Sequence, residues 1–336
     1  MELIDFASCE PLPRFYGGNA GRKISVLLDG MPWMLKFPES TKGFRGKHLA
    51  SYTTSPLSEY IGSHLYEALG IPVHETRLGI YEGKVVVGCR DFAVDDRLFD
   101  FASIKNSVSE DSLESGSNSS NGKGELLCDA LKVIETAPAF EGLRDDALER
   151  FWDMFVVDSV ILNNDRNNGN WGVLVKRYSI ELAPVFDNGN AFFNKKNNSI
   201  LESALATPKG LLGDINAYVS YFTDSNRNSI HPFNLMREHS IADLDKAIDR
   251  FAERFDPEAV DKIISEIPES FLGIEVISEV QRKAYRKALS ETTGIVLPLS
   301  TACRSEHERA GLTLDELEAF CCSEPEGAAA PGGEAR

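Results

Sequence analysis

The stretch Asn163-Asn164-Asp165-Arg166-Asn167-Asn168-Gly169-Asn170-Trp171-Gly172, with Asp187-Asn188-Gly189 downstream, holds the residue types and spacing best suited to chemistry. A carboxylate followed five residues later by a carboxamide is the spacing of a phosphoryl-transfer loop. There the Asp takes the proton of an attacking hydroxyl and the Asn holds a magnesium ion. On that reading Asp165 is the base and Asn170 a metal ligand. Asp187, reached after a short hairpin, bridges the metal to nucleotide phosphates. Magnesium prefers hard oxygen donors and keeps several waters, so one carboxylate and one amide are protein enough for it. Taken alone, a run of Asn, Asp and Gly also makes a polar turn. The flanking elements decide between the two readings.

Leu148, Phe151, Trp152, Phe155, Val156, Val160, Ile161 and Leu162 make the segment from about Asp145 to Leu162 apolar nearly all round in its second half, the mark of a buried helix. It leads straight into the candidate loop. Trp171–Val175 and Ser179–Ala183 then form a hairpin that ends at Asp187. Such an order brings Asp165, Asn170 and Asp187 around one cavity, which favours chemistry over a plain turn.

Upstream, Gly17, Gly18, Asn19 and Gly21 form a turn whose backbone amides can approach a phosphate, with Arg22 and Lys23 adding charge. Strands follow at Ile24–Leu28 and Trp33–Phe37, joined by an Asp-Gly reversal. Lys36, among Trp33, Met34, Leu35 and Phe37, occupies the place from which a kinase lysine reaches the α- and β-phosphates. Ser55-Pro56 opens a helix with Leu57, Ile61, Leu65 and Ala68 at helical spacing, stopped by Gly70 and Pro72. Glu59 lies off that stripe and is placed to meet Lys36. Val73–Gly79 and Lys84–Cys89 read as two further strands leading to a hinge near Gly88–Phe92, where an adenine ring can stack.

At 336 residues the chain can hold two lobes. Its net charge of −17 opposes a nucleic-acid surface, which needs a basic stripe. No apolar run approaches a membrane span, and the first residues lack the pattern of a secretory signal, so a cytoplasmic protein is expected. Six cysteines without Cys-x-x-Cys spacing, two of them adjacent at Cys321-Cys322, suit free thiols and not zinc. Residues 106–124, rich in Ser, Gly, Asn and acidic groups, read as a flexible insertion. Residues 190–239 are hard to parse. Helices follow over Ser240–Phe255 with Ser240 as cap, over Asp256–Ile267, and over about Glu275–Thr293. Residues 296–336 read as a mostly disordered tail with a short helix at 314–320.

With these motifs in place, the chain resembles the HipA-like serine/threonine kinases, in particular the short CtkA-type proinflammatory kinases. The matching text is FYGGNAGRKIS, LKFP, SEYIGSHLYEALGI, VVVGCRDF, WDMFVVDSVILNNDRNNGNWG and APVFDNG, in order from about residue 14 to 189. The resemblance implies an α+β, bilobal protein-kinase-like fold. A β-rich N-lobe (1–92) would precede a helical C-lobe (93–295) carrying the catalytic loop. It implies ATP and Mg2+ as co-substrate and cofactor, and a protein substrate with a Ser or Thr acceptor. It also implies autophosphorylation and leaves an antitoxin-type partner open, while the charge and the lack of an apolar span argue against direct nucleic-acid contact and a membrane. Own-cell or host action stays open. By matched position, Asp165 is the base, Asn170 and Asp187 hold the metal, and Lys36 holds the phosphates with Glu59 as partner.

The pattern departs from the family in two places. HipA autophosphorylates a serine in its glycine-rich loop, whereas Tyr16–Lys23 contains none. Asn164 stands where eukaryotic kinases carry an Arg before the catalytic Asp, which removes that route of control by an activation-loop phosphate. A small-molecule or lipid kinase would share the same catalytic residues. A non-catalytic toxin component or pseudokinase would be expected to have lost the lysine or the metal ligands, and both are present.

Overall fold

The computed structural model describes residues 1–17, 21–43, 51–108, 112–114, 124–207 and 209–310. Gly18 and Asn19, most of the 106–124 segment and the helix expected at 314–320 lie outside these residues.

Alternating apolar residues in the first ninety positions build a six-stranded sheet. Its strands are β1 (Ile4–Asp5), β2 (Glu10–Leu12), β3 (Lys23–Leu28), β4 (Met31–Lys36), β5 (Thr76–Tyr81) and β6 (Lys84–Arg90), in spatial order β1-β5-β6-β4-β3-β2. Neighbours are antiparallel except for β1 beside β5. Asp29-Gly30 and Glu82-Gly83 close the two hairpins with both residues at positive φ, the backbone a tight two-residue turn requires. On one face Val26, Trp33, Leu35 and Val86 pack around Phe6. On the other, Leu78, Val87 and Cys89 meet Leu57, Ile61 and Leu65 of α1 (Ser55–Ala68) and join the core of the helical lobe. Strands β1 and β2 were not expected from sequence. They carry Phe6 into the sheet, where a Cβ on Gly88 would lie 2.7 Å from its ring.

The second lobe begins with β7 (Arg97–Asp100) and α2 (Phe101–Lys105), then β8 (Glu125–Leu126), α3 (Leu127–Thr136) and α4 (Arg144–Val160). Helix α4 is buried along most of its length, as its composition required. Next come β9 (Gly172–Val175) and β10 (Ile180–Leu182), the hairpin read from sequence, and β7 pairs with β9. The segment that resisted parsing folds as short pieces: α5 (Asn198–Leu205), α6 (Gly210–Asn216), β11 (Phe222–Thr223) and α7 (Pro232–Glu238). Helices α8 (Ala242–Arg254) and α9 (Pro257–Ser265), the small hairpin β12 (Ser270–Phe271) and β13 (Ile274–Glu275), and α10 (Glu279–Val296) complete the lobe. The protein is thus α+β, with a sheet-built lobe and a larger helical one. The lobe boundary we propose near residue 92 falls between β6 and β7.

Three expectations need correction. Helix α8 follows Ile241 and takes no side-chain cap, so Ser240 does not serve there. Helix α10 starts later than expected, at Ser278, whose side chain and Gln281 form a reciprocal capping box. Residues 296–310, assigned to a disordered tail, continue α10 into a 3-10 turn and α11 (Thr301–Ala310). Buried Val296 and Leu299 anchor this extension, and Asp249 accepts the Thr301 N–H at 2.6 Å. Among the described residues no helix is long and apolar enough to cross a membrane.

Candidate active site

Helix α4 ends in a carboxylate that fixes the loop after it. The guanidinium of Arg166 donates from Nε to Asp158 Oδ2 at 2.8 Å and from Nη2 to Oδ1 at 2.9 Å. Its Nη1 donates to the backbone oxygens of Asn170, at 3.0 Å, and of Phe186. Asn163 donates to Asp158 at 3.0 Å and accepts the Asp165 N–H at 3.2 Å. Tyr218 Oη donates to the Asn163 carbonyl at 2.7 Å. The loop backbone is therefore held by buried, charge-assisted bonds, which exceed neutral ones in strength.

On this frame Asp165 is exposed, and Asn167 Nδ2 donates to its Oδ1 at 2.9 Å. Partial burial raises the Asp165 pKa; the Asn167 bond opposes that shift and the charge of Asp187 adds to it. The two carboxylates therefore sense each other. Asn170 donates from Nδ2 to the Asp165 carbonyl at 2.7 Å. That bond fixes which way the amide points, and among the described residues its oxygen makes no hydrogen bond. Asp187 has φ +63°, uncommon for a residue with a side chain. Its side chain is 42% exposed. Asn190 Nδ2 donates to Asn164 Oδ1 at 2.6 Å, tying the segment after Asp187 to the loop.

Lys36 faces this floor from β4. Its Nζ lies 2.8 Å from Glu59 Oε2 and 2.8 Å from Asp187 Oδ1. Burial alone would discharge the ammonium, but Asp187 and Glu59 outweigh it and hold the Lys36 pKa above its ordinary value. Burial likewise works against the Glu59 carboxylate, and Lys36 with His74 holds its pKa well below the usual range. His74 Nε2 stands 2.9 Å from Glu59 Oε1. Glu59, His74 and Cys89 bring ligand-type atoms within 4.8 Å of one another, the one such group among the described residues. Glu59 is already engaged by Lys36 and His74, and burial pushes the Cys89 thiol up, so the cluster reads as packing beside an ion pair.

Lys23 is the register partner of Lys36, and its Nζ donates to the Gly17 carbonyl at 2.8 Å. Partial burial lowers its pKa; Asp187 opposes that and Lys36 adds to it, which sets Lys23 near the same cleft. Gly21 has φ +64°, a conformation glycine takes without strain. Gly17 and Gly21 border the undescribed residues Gly18 and Asn19. Arg22, in contrast, turns to the opposite face, 4.5 Å above the Phe37 ring and 3.6 Å from Glu82, so it adds no charge to the cleft. Of the stretch expected as a hinge, Gly88–Arg90 still belong to β6; beyond it Tyr16 Oη donates to Asp91 Oδ2 at 3.0 Å and Phe92 packs obliquely on Phe186 at 5.5 Å.

Asp165, Asn170, Asp187, Lys36 and Glu59 thus converge from both lobes. Sequence reading had given no part to Arg166, Asp158, Asn163 or His74, and a lone His or an Arg beside the loop carries no signal of its burial. A sheet lobe with a lysine–glutamate pair, above an Asp-x4-Asn loop and a second Asp, defines a protein-kinase-like phosphotransferase. The sequence matches the family model for the HipA-like C-terminal domain over residues 18–271, and the chain belongs to that family. It is 31% identical over 309 residues to the serine/threonine-protein kinase CtkA of Helicobacter pylori, covering 89% of this chain and 88% of CtkA. It superposes on the crystal structure of the H. pylori proinflammatory kinase CtkA with a TM-score of 0.79 at 30% identity, over 91% of this chain and 99% of the other. With CtkA it falls among the serine/threonine-protein kinases. A Shewanella oneidensis HipA, solved with HipB and operator DNA, matches at a TM-score of 0.48 and 13% identity over 95% of this chain and 75% of the other.

Proposed function

We propose that the chain transfers the γ-phosphoryl group of ATP to serine or threonine hydroxyls of a protein, its own chain included. The observation that carries this reading is the position of Lys36, whose ammonium is 2.8 Å from a wholly buried carboxylate and 2.8 Å from the exposed Asp187. A lysine with a structural task alone is served by the buried carboxylate of Glu59. One that has to hold phosphates beside a metal ligand needs the exposed partner as well.

Asp165 would accept the proton of the acceptor hydroxyl, its raised pKa bringing it nearer the proton it must hold. Lys36, fixed by Glu59, would hold the nucleotide phosphates, with Lys23 at the side. Asp187 and the free amide oxygen of Asn170 are hard donors that suit magnesium and would hold it. Magnesium, when bound, neutralises charge on the phosphate oxygens. Positioning and charge neutralisation are most of what phosphoryl transfer asks of a protein.

Asp165→Asn should lower turnover at least about 10²-fold. Wild-type-like turnover from that variant, with an unchanged melting curve, would sink the assignment. Labelled ATP offered with a peptide library, an aminoglycoside and phosphoinositides identifies the acceptor class. Label on peptides or on the chain itself supports the proposal, and label confined to the small molecules or lipids overturns the protein substrate.

A further inference from the structure

Asn188 follows the metal-side aspartate and is completely buried. Its backbone N–H donates to Glu59 Oε1 at 2.9 Å, its Nδ2 donates to Ser63 Oγ at 3.0 Å, and its Oδ1 accepts from Arg166 Nη2. One side chain and its own amide therefore join the helix of the first lobe, the catalytic-loop arginine and the segment carrying Asp187. Ser63 lies four residues after Glu59 on α1, so the two share a face. Its hydroxyl is also 3.3 Å from His74 Nε2, the nitrogen that reaches Glu59. Because both contacts use one ring nitrogen, no nucleophile relay exists here; that arrangement needs both. Gly62 permits the close approach: a Cβ on it would sit 3.0 Å from the Asn188 Cβ and 3.3 Å from Ile161 Cδ1.

The bland account is that these bonds only satisfy buried polar groups. It does not explain why a single residue meets three elements that must be registered to one another, each ending at a group of the site. We propose that Asn188 and Ser63 are positioning residues. They set the place of α1, and with it Glu59 and Lys36, from the catalytic loop. The proposal rests on the kinase reading above.

Ser63→Ala is the decisive variant, since it removes the side-chain bond from Asn188 to α1, keeps the Asn188 N–H bond to Glu59, and leaves Arg166, Asp187 and Lys36 intact. Loss of one buried hydrogen bond corresponds to roughly a 5- to 10-fold effect. The variant should bind Mg-ATP about that much more weakly by calorimetry and lose a similar factor in kcat/KM, with the KM for the peptide acceptor little changed. Without nucleotide, amides of residues 55–68 should exchange hydrogen faster, while those of α4 and α10 keep their protection. In a Lys36→Met background, Ser63→Ala should no longer change Mg-ATP affinity, because the residue it positions is gone. Wild-type affinity and kinetics with only a lowered melting temperature would overturn the proposal. So would an equal effect in both backgrounds. Gly62→Ala, which pushes α1 from Asn188 without removing a bond, should show the same pattern and serves if Ser63→Ala does not fold. Failure of the wild type to bind Mg-ATP or transfer phosphate would count against the kinase reading instead. An active wild type with an unaffected Ser63→Ala defeats the positioning role alone.

Discussion

Two of the buried cation–carboxylate pairs, Arg166–Asp158 and Lys36–Glu59, are built differently. Arg166 and Asp158 are both about as buried as side chains become, 4% and 5% exposed. The guanidinium fork is spent on fixed acceptors: a carboxylate, two backbone carbonyls and the Asn188 amide. Lys36 has one permanent partner, Glu59 at 0% exposure, and one exposed partner, Asp187. A rigid planar donor set suits the first place, and a compact charge that can change partners suits the second. Burial and pairing alone do not mark a functional ion pair. What marks it is an exposed partner that a ligand can reach.

Removal of each cation tests that distinction, and Arg166→Met should have the larger effect. It leaves Asp158 buried without its counter-ion, which costs about 3–5 kcal/mol, and denaturant melts should show it. Turnover should vanish with the fold. A loss below about 1 kcal/mol would show that the arginine frames nothing.

Lys36→Met should invert the pattern, with turnover lower by about 10²-fold or more and a smaller stability loss, since Glu59 keeps His74 and the Asn188 N–H. The pH dependence of stability follows in sign. With Lys36 present, Glu59 ionises well below its ordinary value near 4.5. Its contribution is complete above that value and lost as pH falls through the depressed folded pKa. Without Lys36 the folded pKa rises toward the ordinary value, so the acid-dependent loss should be smaller and finished at higher pH. Identical acid limbs in the two proteins would mean that the pair contributes nothing to stability.

The same contrast explains what the sequence made legible. Asp165, Asn170, Lys36 and Glu59 could be placed because each sits at fixed spacing from a strong local signal: a buried helix, a glycine turn, a Ser-Pro helix start. Arg166 could not, because its acceptors come from residues 158, 170, 186 and 188, and only the folded chain assembles them. Arg22 and Lys23 are neighbours in sequence, yet Arg22 lies over Phe37 and near Glu82 while Lys23 reaches the Gly17 carbonyl. Strands β1 and β2 are too short to show a period at all, and only Phe6, lodged against Gly88, explains why the chain enters the sheet there. Helices α5 to α7 span one or two turns each, below the length at which periodicity declares itself.

The finest distinction concerns Asp165 itself, which the Arg166 frame positions and its own neighbours tune. Burial raises its pKa above the ordinary 3.8, and the hydrogen bond from Asn167 works in the opposite direction by favouring the charged form. Asn167→Ala removes that opposition while leaving Arg166 and its acceptors in place. The Asp165 pKa should rise further, and because the base we propose must be unprotonated to act, the acid limb of kcat/KM should move to higher pH. The rate on the neutral plateau should change little. If Asn167 instead serves only to shape the turn, its loss should lower the rate by one factor at every pH, with the limb unmoved. The pH profile of this variant therefore separates tuning of the base from support of the loop that carries it.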